Sequence, residues 1–185
     1  NCETVKLDAT PAGLEVYSQL GFKKELGLTR MTSMSVLSDK EIPKGISPLR
    51  SIEIVAELDF EAFGSNRLMM LKSLLKRAPN AAWKYKKNDE ILAFCLGRLG
   101  TRFNHIGPVV ARDGNSAKQI ITAALYQLRG KPAVIDILDH QKAIFDLLMQ
   151  HGFVSERPFT RMFKGSNNAP GKPKLVFASA GPELG

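Results

Sequence analysis

Two stretches of the chain, GFKKELGLTRM at 21–31 and GFVSERPFTRM at 152–162, share a Gly-Phe, a spacer of six residues and a closing Thr-Arg-Met. The residues before each stretch also agree. From Thr4 to Leu7 the apolar positions predict a short buried strand, and Pro11 opens a helix whose face is Leu14, Tyr17 and Leu20, stopped by Gly21. In the later stretch, PAVIDIL reads as a β-branched strand and QKAIFDLLMQHG as a helix with Ile144, Phe145, Leu148 and Met149 on one face. An Asp follows each strand core (Asp8, Asp136), and extended segments follow each Gly-Phe, Phe22 to Leu26 and Leu28 to Val36 in the first copy. Agreement in element order around the identities makes duplication the reading. Residues 1–36 are then the tail of one copy of a fold and 45–185 a second, nearly whole copy. The proline- and charge-bearing stretch between them supplies a linker at 37–44. Arg30 and Arg161 hold matching places, which predicts pairing with the repeated Asp8 and Asp136.

The middle of the chain follows helical and then strand periodicity. SIEIVAELDFEAFG predicts a helix with Ser51 as its candidate N-cap and apolar residues at helical spacing, Ile54, Val55, Leu58 and Phe63, and NRLMMLKSLLKRAP a second one ending before Pro79. AAWKYKK, ILAFCLGRLG and FNHIGPVVA then predict an antiparallel meander turning at Asn88-Asp89 and at Gly100. Asn115 or Ser116 is expected to cap the helix AKQIITAALYQLRG, which Gly130 stops. The fold class is mixed α/β: a twisted, mostly antiparallel sheet flanked by helices, with Val134 to Ile137 beside the strand from Gly107 to Ala111.

A chain of 185 residues with 44% hydrophobic composition can bury one ordinary core, hence one domain plus a piece of another. No run approaches the length of a membrane helix, the sequence does not open on a basic-then-apolar pattern, and its first residue is Asn1 rather than Met. The expectation is a cytoplasmic protein, cut from a longer chain. Cys2 and Cys95 lack CxxC spacing and His105, His140 and His151 lie far apart, so neither a disulfide framework nor a metal site is expected. The 26 basic against 18 acidic residues give +8, but the cations are scattered. A solvated surface therefore outweighs a nucleic-acid footprint.

The order β, α, α, β, β, β, α, β, α, β, β, opening with ISPLRSIEIVAELDFEAFG, resembles the GNAT superfamily of acyl-CoA-dependent N-acyltransferases, and the whole is similar to the C-terminal part of bacterial tandem GNAT proteins. The resemblance implies transfer of an acetyl group from acetyl-CoA to an amine on a small molecule or peptide, with a further GNAT domain preceding this chain and no membrane partner. In the family, a strand that parts from its neighbour bonds the pantetheine arm and the next helix start takes the pyrophosphate. These places fall on Val109, Val110 and Ala111 and on Asn115, Ser116, Ala117 and Lys118. The turn RDGNSA departs from the family's Arg/Gln-x-x-Gly-x-Gly/Ala pattern at Asn115, which leaves open whether these residues cradle phosphates or only cap a helix. The family's general acid, a Tyr four residues before the Gly-Phe, matches Tyr17 in the first copy, whereas the second copy has Leu148, which has no proton to give. Substrate-binding candidates are Asp59, Phe63, Arg67 and Arg98, since arginines forked toward one cleft suit a carboxylate or phosphate. The bland alternative is Phe63 in the core and both arginines paired with Asp59 or Glu61. A second function class stays beside the enzyme: a non-catalytic, degenerate GNAT module that supports the first copy or binds a partner.

Overall fold

The computed structural model describes residues 3–39, 41–168, 170–182 and 184; Cys2 lies outside them. In chain order the elements are β1 (Thr4–Ala9), α1 (Pro11–Gln19), β2 (Lys23–Ser33), β3 (Ile46–Pro48), α2 (Ala56–Phe63), α3 (Leu68–Arg77), β4 (Trp83–Lys87), β5 (Glu90–Arg98), β6 (Asn104–Ala111), α4 (Gly114–Gln127), β7 (Ala133–Leu138), α5 (Lys142–Gln150), β8 (Val154–Gly165) and β9 (Val176–Ala178). The strands form one sheet in the order β1-β8-β2-β7-β9-β6-β5-β4-β3, antiparallel except where β6 meets β7. The meander β4-β5-β6 is as expected, with Asn88 and Asp89 both in the left-handed region that a two-residue hairpin turn requires.

Two cores lie on opposite faces of this sheet. One joins α4 and α5 to Cys95, Val109, Ile135 and Ile137; the other joins α2 and α3 to Phe94, Leu96, Val110 and Leu138. Alternation along β5 and β6 sends successive side chains to different cores, so these strands read as continuous apolar runs.

The repeat is a two-fold arrangement within the chain. β2 and β8 pair antiparallel, and Leu28 opposes Phe159, each being the residue before its Thr-Arg-Met. Matching positions swap across that pair: Thr29 opposes Pro158 and Gly27 opposes Thr160. Outward from this centre, β1 pairs with β8 and β7 with β2. Both helices between the strands have nine residues, and both end at a glycine in the left-handed region, Gly21 at φ +85° and Gly152 at φ +83°. The next amide turns back alike, Phe22 donating to the Tyr17 carbonyl at 3.0 Å and Phe153 to that of Leu148 at 3.1 Å.

Four expectations need correction. Ser51 caps no helix: a 3-10 turn at Glu53–Val55 comes first, and α2 begins at Ala56 without a side-chain cap. Asn115 and Ser116 lie inside α4, whose N-cap is Asp113. The extended run to Val36 stops at Ser33 as a strand, and Val36 makes only an isolated bridge to Arg129. Val134 and Ile135 stand beside His105 and Ile106, not beside Gly107 to Ala111, because β6 and β7 part after three residue pairs and β9, to which the pattern reading assigned no residues, enters the gap.

Candidate functional site

The parting of β6 and β7 creates the one place in the described sheet where two parallel neighbours separate. β9 lies there antiparallel to both, Ala178 opposing Val109 on one side and Ile137 on the other, and Val176 opposing Val110. Leu175 to Ala180 are buried throughout. The Ser179 amide donates to the Asp136 carbonyl at 2.9 Å, and the side chain of Gln141, at the start of α5, donates to the carbonyls of Lys174 and Val176 at 3.2 and 3.0 Å. Gly107, at φ +150°, lets the segment come close: a side chain there would collide with the Ser179 carbonyl oxygen.

At the end of β6 the chain turns into α4. Asp113 accepts from the Ser116 amide at 2.8 Å and from the Ser116 hydroxyl at 3.0 Å. The Ser116 amide is the main cause holding the Asp113 carboxyl below its ordinary value, so the first turn carries a fixed negative charge. Ala117 is buried, Lys118 half-buried and Asn115 exposed. These residues fit an acyl-CoA poorly. The backbone of Val109 and Val110 is paired with β9, and a carboxylate holds one of the helix-start amides that a pyrophosphate would need.

The two-fold arrangement exchanges partners between the copies. Arg161 forks onto Asp8 at 2.8 and 2.9 Å, and Arg30 onto Asp136 at 2.7 and 2.9 Å. Burial would raise the Asp136 carboxyl, but the Arg30 fork and His105 outweigh it and hold it at about 2. His105 is buried with its Nε2 3.4 Å from Asp136, and its Nδ1 has no hydrogen-bond partner among the described residues.

Tyr17 sits on α1, half-buried, with its ring edge-on to Phe22 at 5.7 Å. α1 buries no residue, and Val16 and Leu20 are each 55% exposed; in α5, by contrast, Ile144 and Leu148 are fully covered. The four substrate candidates divide between two places. Asp59 and Arg67 form a buried fork at 2.8 and 2.9 Å, with the guanidinium 4.0 Å above the half-buried Phe63 ring, beside a cleft of about 270 Å³. Arg98 lies in a different cleft, of about 480 Å³, with Arg30, Arg77, Phe103 and His105. Glu61 pairs with Arg112 and Lys172 rather than with Arg67 or Arg98.

Pattern reading missed the cap at Asp113 and assigned no residues to β9. A capping signal was present for the first, an Asp three residues before a Ser at the start of an apolar helix. For the second there was only the short apolar run LVFASA after Pro173.

Residues 55–178 match the family described as acetyltransferase (GNAT) domain. Over 152 residues the chain is 24% identical to the uncharacterized N-acetyltransferase YitH of Bacillus subtilis, covering 80% of this chain and 54% of that protein. Among solved structures, a protein of Pyrococcus horikoshii assigned as an acetyltransferase superposes with a TM-score of 0.79 at 22% identity, over all of this chain and 61% of its own. A GCN5-related N-acetyltransferase from Sphaerobacter thermophilus gives a TM-score of 0.58 at 21% identity, over 87% of this chain and 59% of its own. The chain thus spans about half the length of the curated relative it matches.

Proposed function

We propose, from the premise that this chain belongs to the GNAT acetyltransferase family, that it is the C-terminal part of an acyl-CoA-dependent N-acyltransferase that moves an acetyl group from acetyl-CoA to the amine of a small molecule or peptide. The observation that carries this reading is the exchange of β2 and β8 about Leu28 and Phe159. By that symmetry, residues 1–36 close one lobe, 37–44 link, and 45–185 make a second lobe. β1 stands at the end of the described sheet, and the position that β6 takes beside β7 falls, in the first copy, on the outer edge of Val5 to Leu7. Val5 is 46% exposed there, and α1 turns Val16 and Leu20 outward where a helix in the place of α4 would cover them. We assign both surfaces to a preceding GNAT lobe of a longer protein.

In this reading Tyr17 is the general acid. As the amine bonds to the acyl carbon and the carbon–sulfur bond breaks, the Tyr17 hydroxyl gives a proton to the departing thiolate, and the proton shed by the acylated amine restores the phenol. A second reading, that residues 45–185 act as a non-catalytic lobe supporting the first, is favoured by the position of β9 between β6 and β7. Both are tested by assaying the product of the complete reading frame with acetyl-CoA and a panel of amines, beside residues 1–185 alone. Turnover by the complete product and none by the shorter chain is the expected result. Equal turnover by both would place the chemistry within residues 1–185 and remove the need for a preceding lobe.

A further inference from the structure

An acyl-CoA site on this fold makes two physical demands. The pantetheine arm needs unpaired backbone groups where parallel strands separate, and the pyrophosphate needs free amides at the next helix start. Among the described residues of 45–185, the strand edges and one helix-start amide already have partners. β9 takes the edges of both β6 and β7, the Ser179 amide is bonded to Asp136, and the Ser116 amide is bonded to Asp113.

The segment that fills the gap has the character of a core strand. Leu175 and Val176 belong to the core under α2 and α3, whereas Phe177 and Ala178 belong to the core under α4 and α5, so it fastens both faces of the sheet. It is also anchored upstream. The Lys172 amide donates to the Ala62 carbonyl at 2.9 Å, and the Lys172 ammonium pairs with Glu61 at 2.8 Å, the carboxylate that also holds Arg112 at the end of β6. Gly171, in the left-handed region, lies so close to α2 that a side chain would strike the Ala62 carbonyl.

We infer that the second lobe binds no acyl-CoA because its own segment Leu175–Ala180 is the resident occupant of the slot. Among the described residues the first copy shows no counterpart to this segment: after its Thr-Arg-Met the chain leaves for β3, at the far edge of the sheet. The closure stands on residues of this chain. Its corollary, a single acyl-CoA position in the lobe that Tyr17 closes, rests on the tandem reading above.

The test uses residues 1–185, with acetyl-CoA added to millimolar concentration, followed by calorimetry and by amide exchange at Val109, Val110, Ala178 and Ser179. The expected result is no saturable heat and no change in exchange. Saturable heat would overturn the inference, whether Ser179 loses protection, as it would if the strand were displaced, or keeps it, as it would if the ligand bound alongside. Asp113→Asn keeps a capping side chain while removing its charge, and it should also give no heat. Heat acquired by that variant would mean that charge rather than the strand excludes the ligand, and it would overturn the assignment. Gly107→Ala should selectively release Ser179 to exchange while α3 stays protected. Unchanged protection there would contradict the close approach of the segment to β6. Acetyl transfer by the complete protein is read separately: its absence with the slot closed sinks the enzymatic reading and leaves the closure in place.

Discussion

Residues 4–33 and 133–165 share a backbone plan but not an environment. The same strand, nine-residue helix, glycine turn and long strand occur in each, and each arginine reaches the aspartate of the other copy. Yet α5 buries Leu148 completely against α4, whereas α1 leaves Tyr17 half-covered beside exposed Val16 and Leu20. The same local fold thus serves packing in one copy and leaves a tyrosine half-covered in the other. The difference lies in the side chain and in the path of the chain beyond each Thr-Arg-Met: in the second copy it returns to fill the gap beside β7, and in the first it departs.

The widest contrast is expected in turnover. In the complete protein Tyr17→Phe should slow acetyl transfer by ~10²–10⁴-fold with the fold intact, while Leu148→Met leaves the rate unchanged. A fully active Tyr17→Phe enzyme would erase the functional difference between the copies. Next in size, Arg161→Gln should destabilise residues 1–185 by about 3–5 kcal/mol in denaturant unfolding, because Asp8 stays buried without its fork. By the symmetry Arg30→Gln should cost a similar amount, and a loss in only one of them would break the equivalence. Leu148→Ala should cost about 2–5 kcal/mol through its cavity, against little change in stability for Tyr17→Phe, both read from urea midpoints. The smallest effect is in pH. The folded Asp136 carboxyl sits at about 2, below its ordinary 3.8. Its contribution of about 2 kcal/mol is therefore complete above pH ~4 and lost as the pH falls toward ~2. Arg30→Gln should flatten that slope in acid unfolding curves.

Periodicity made most of this fold legible. Helices α3, α4 and α5, the Asn88-Asp89 hairpin and the glycine stops are local signals, and the structure places them where the pattern does; within the face read for α5, Ile144 and Leu148 are buried, whereas Met149 is 56% exposed. Pairing of Arg30 and Arg161 with the repeated aspartates was legible too, since a strand arginine opposite a buried carboxylate is its natural partner. That the pairs cross between copies was not legible: Asp8 and Asp136 are chemically alike, and only the register of β1 with β8 and of β2 with β7 distinguishes them. β9 was hidden for the same reason, because three residues have no period of their own and their place depends on a gap between distant strands. The separation of Arg98 from Arg67 likewise arises from topology. Arg98 lies at the end of β5 opposite His105, whereas Arg67 folds back onto Asp59 of the preceding helix.

The central claim, that one copy holds the chemistry while the other is closed by its own chain, is tested most directly by counting acetyl-CoA. Native mass spectrometry of the complete protein, titrated with acetyl-CoA through saturation, should find one molecule bound per chain, and a protein cut back to residues 1–185 should bind none. Two molecules per chain, or one retained by residues 1–185, would contradict the account.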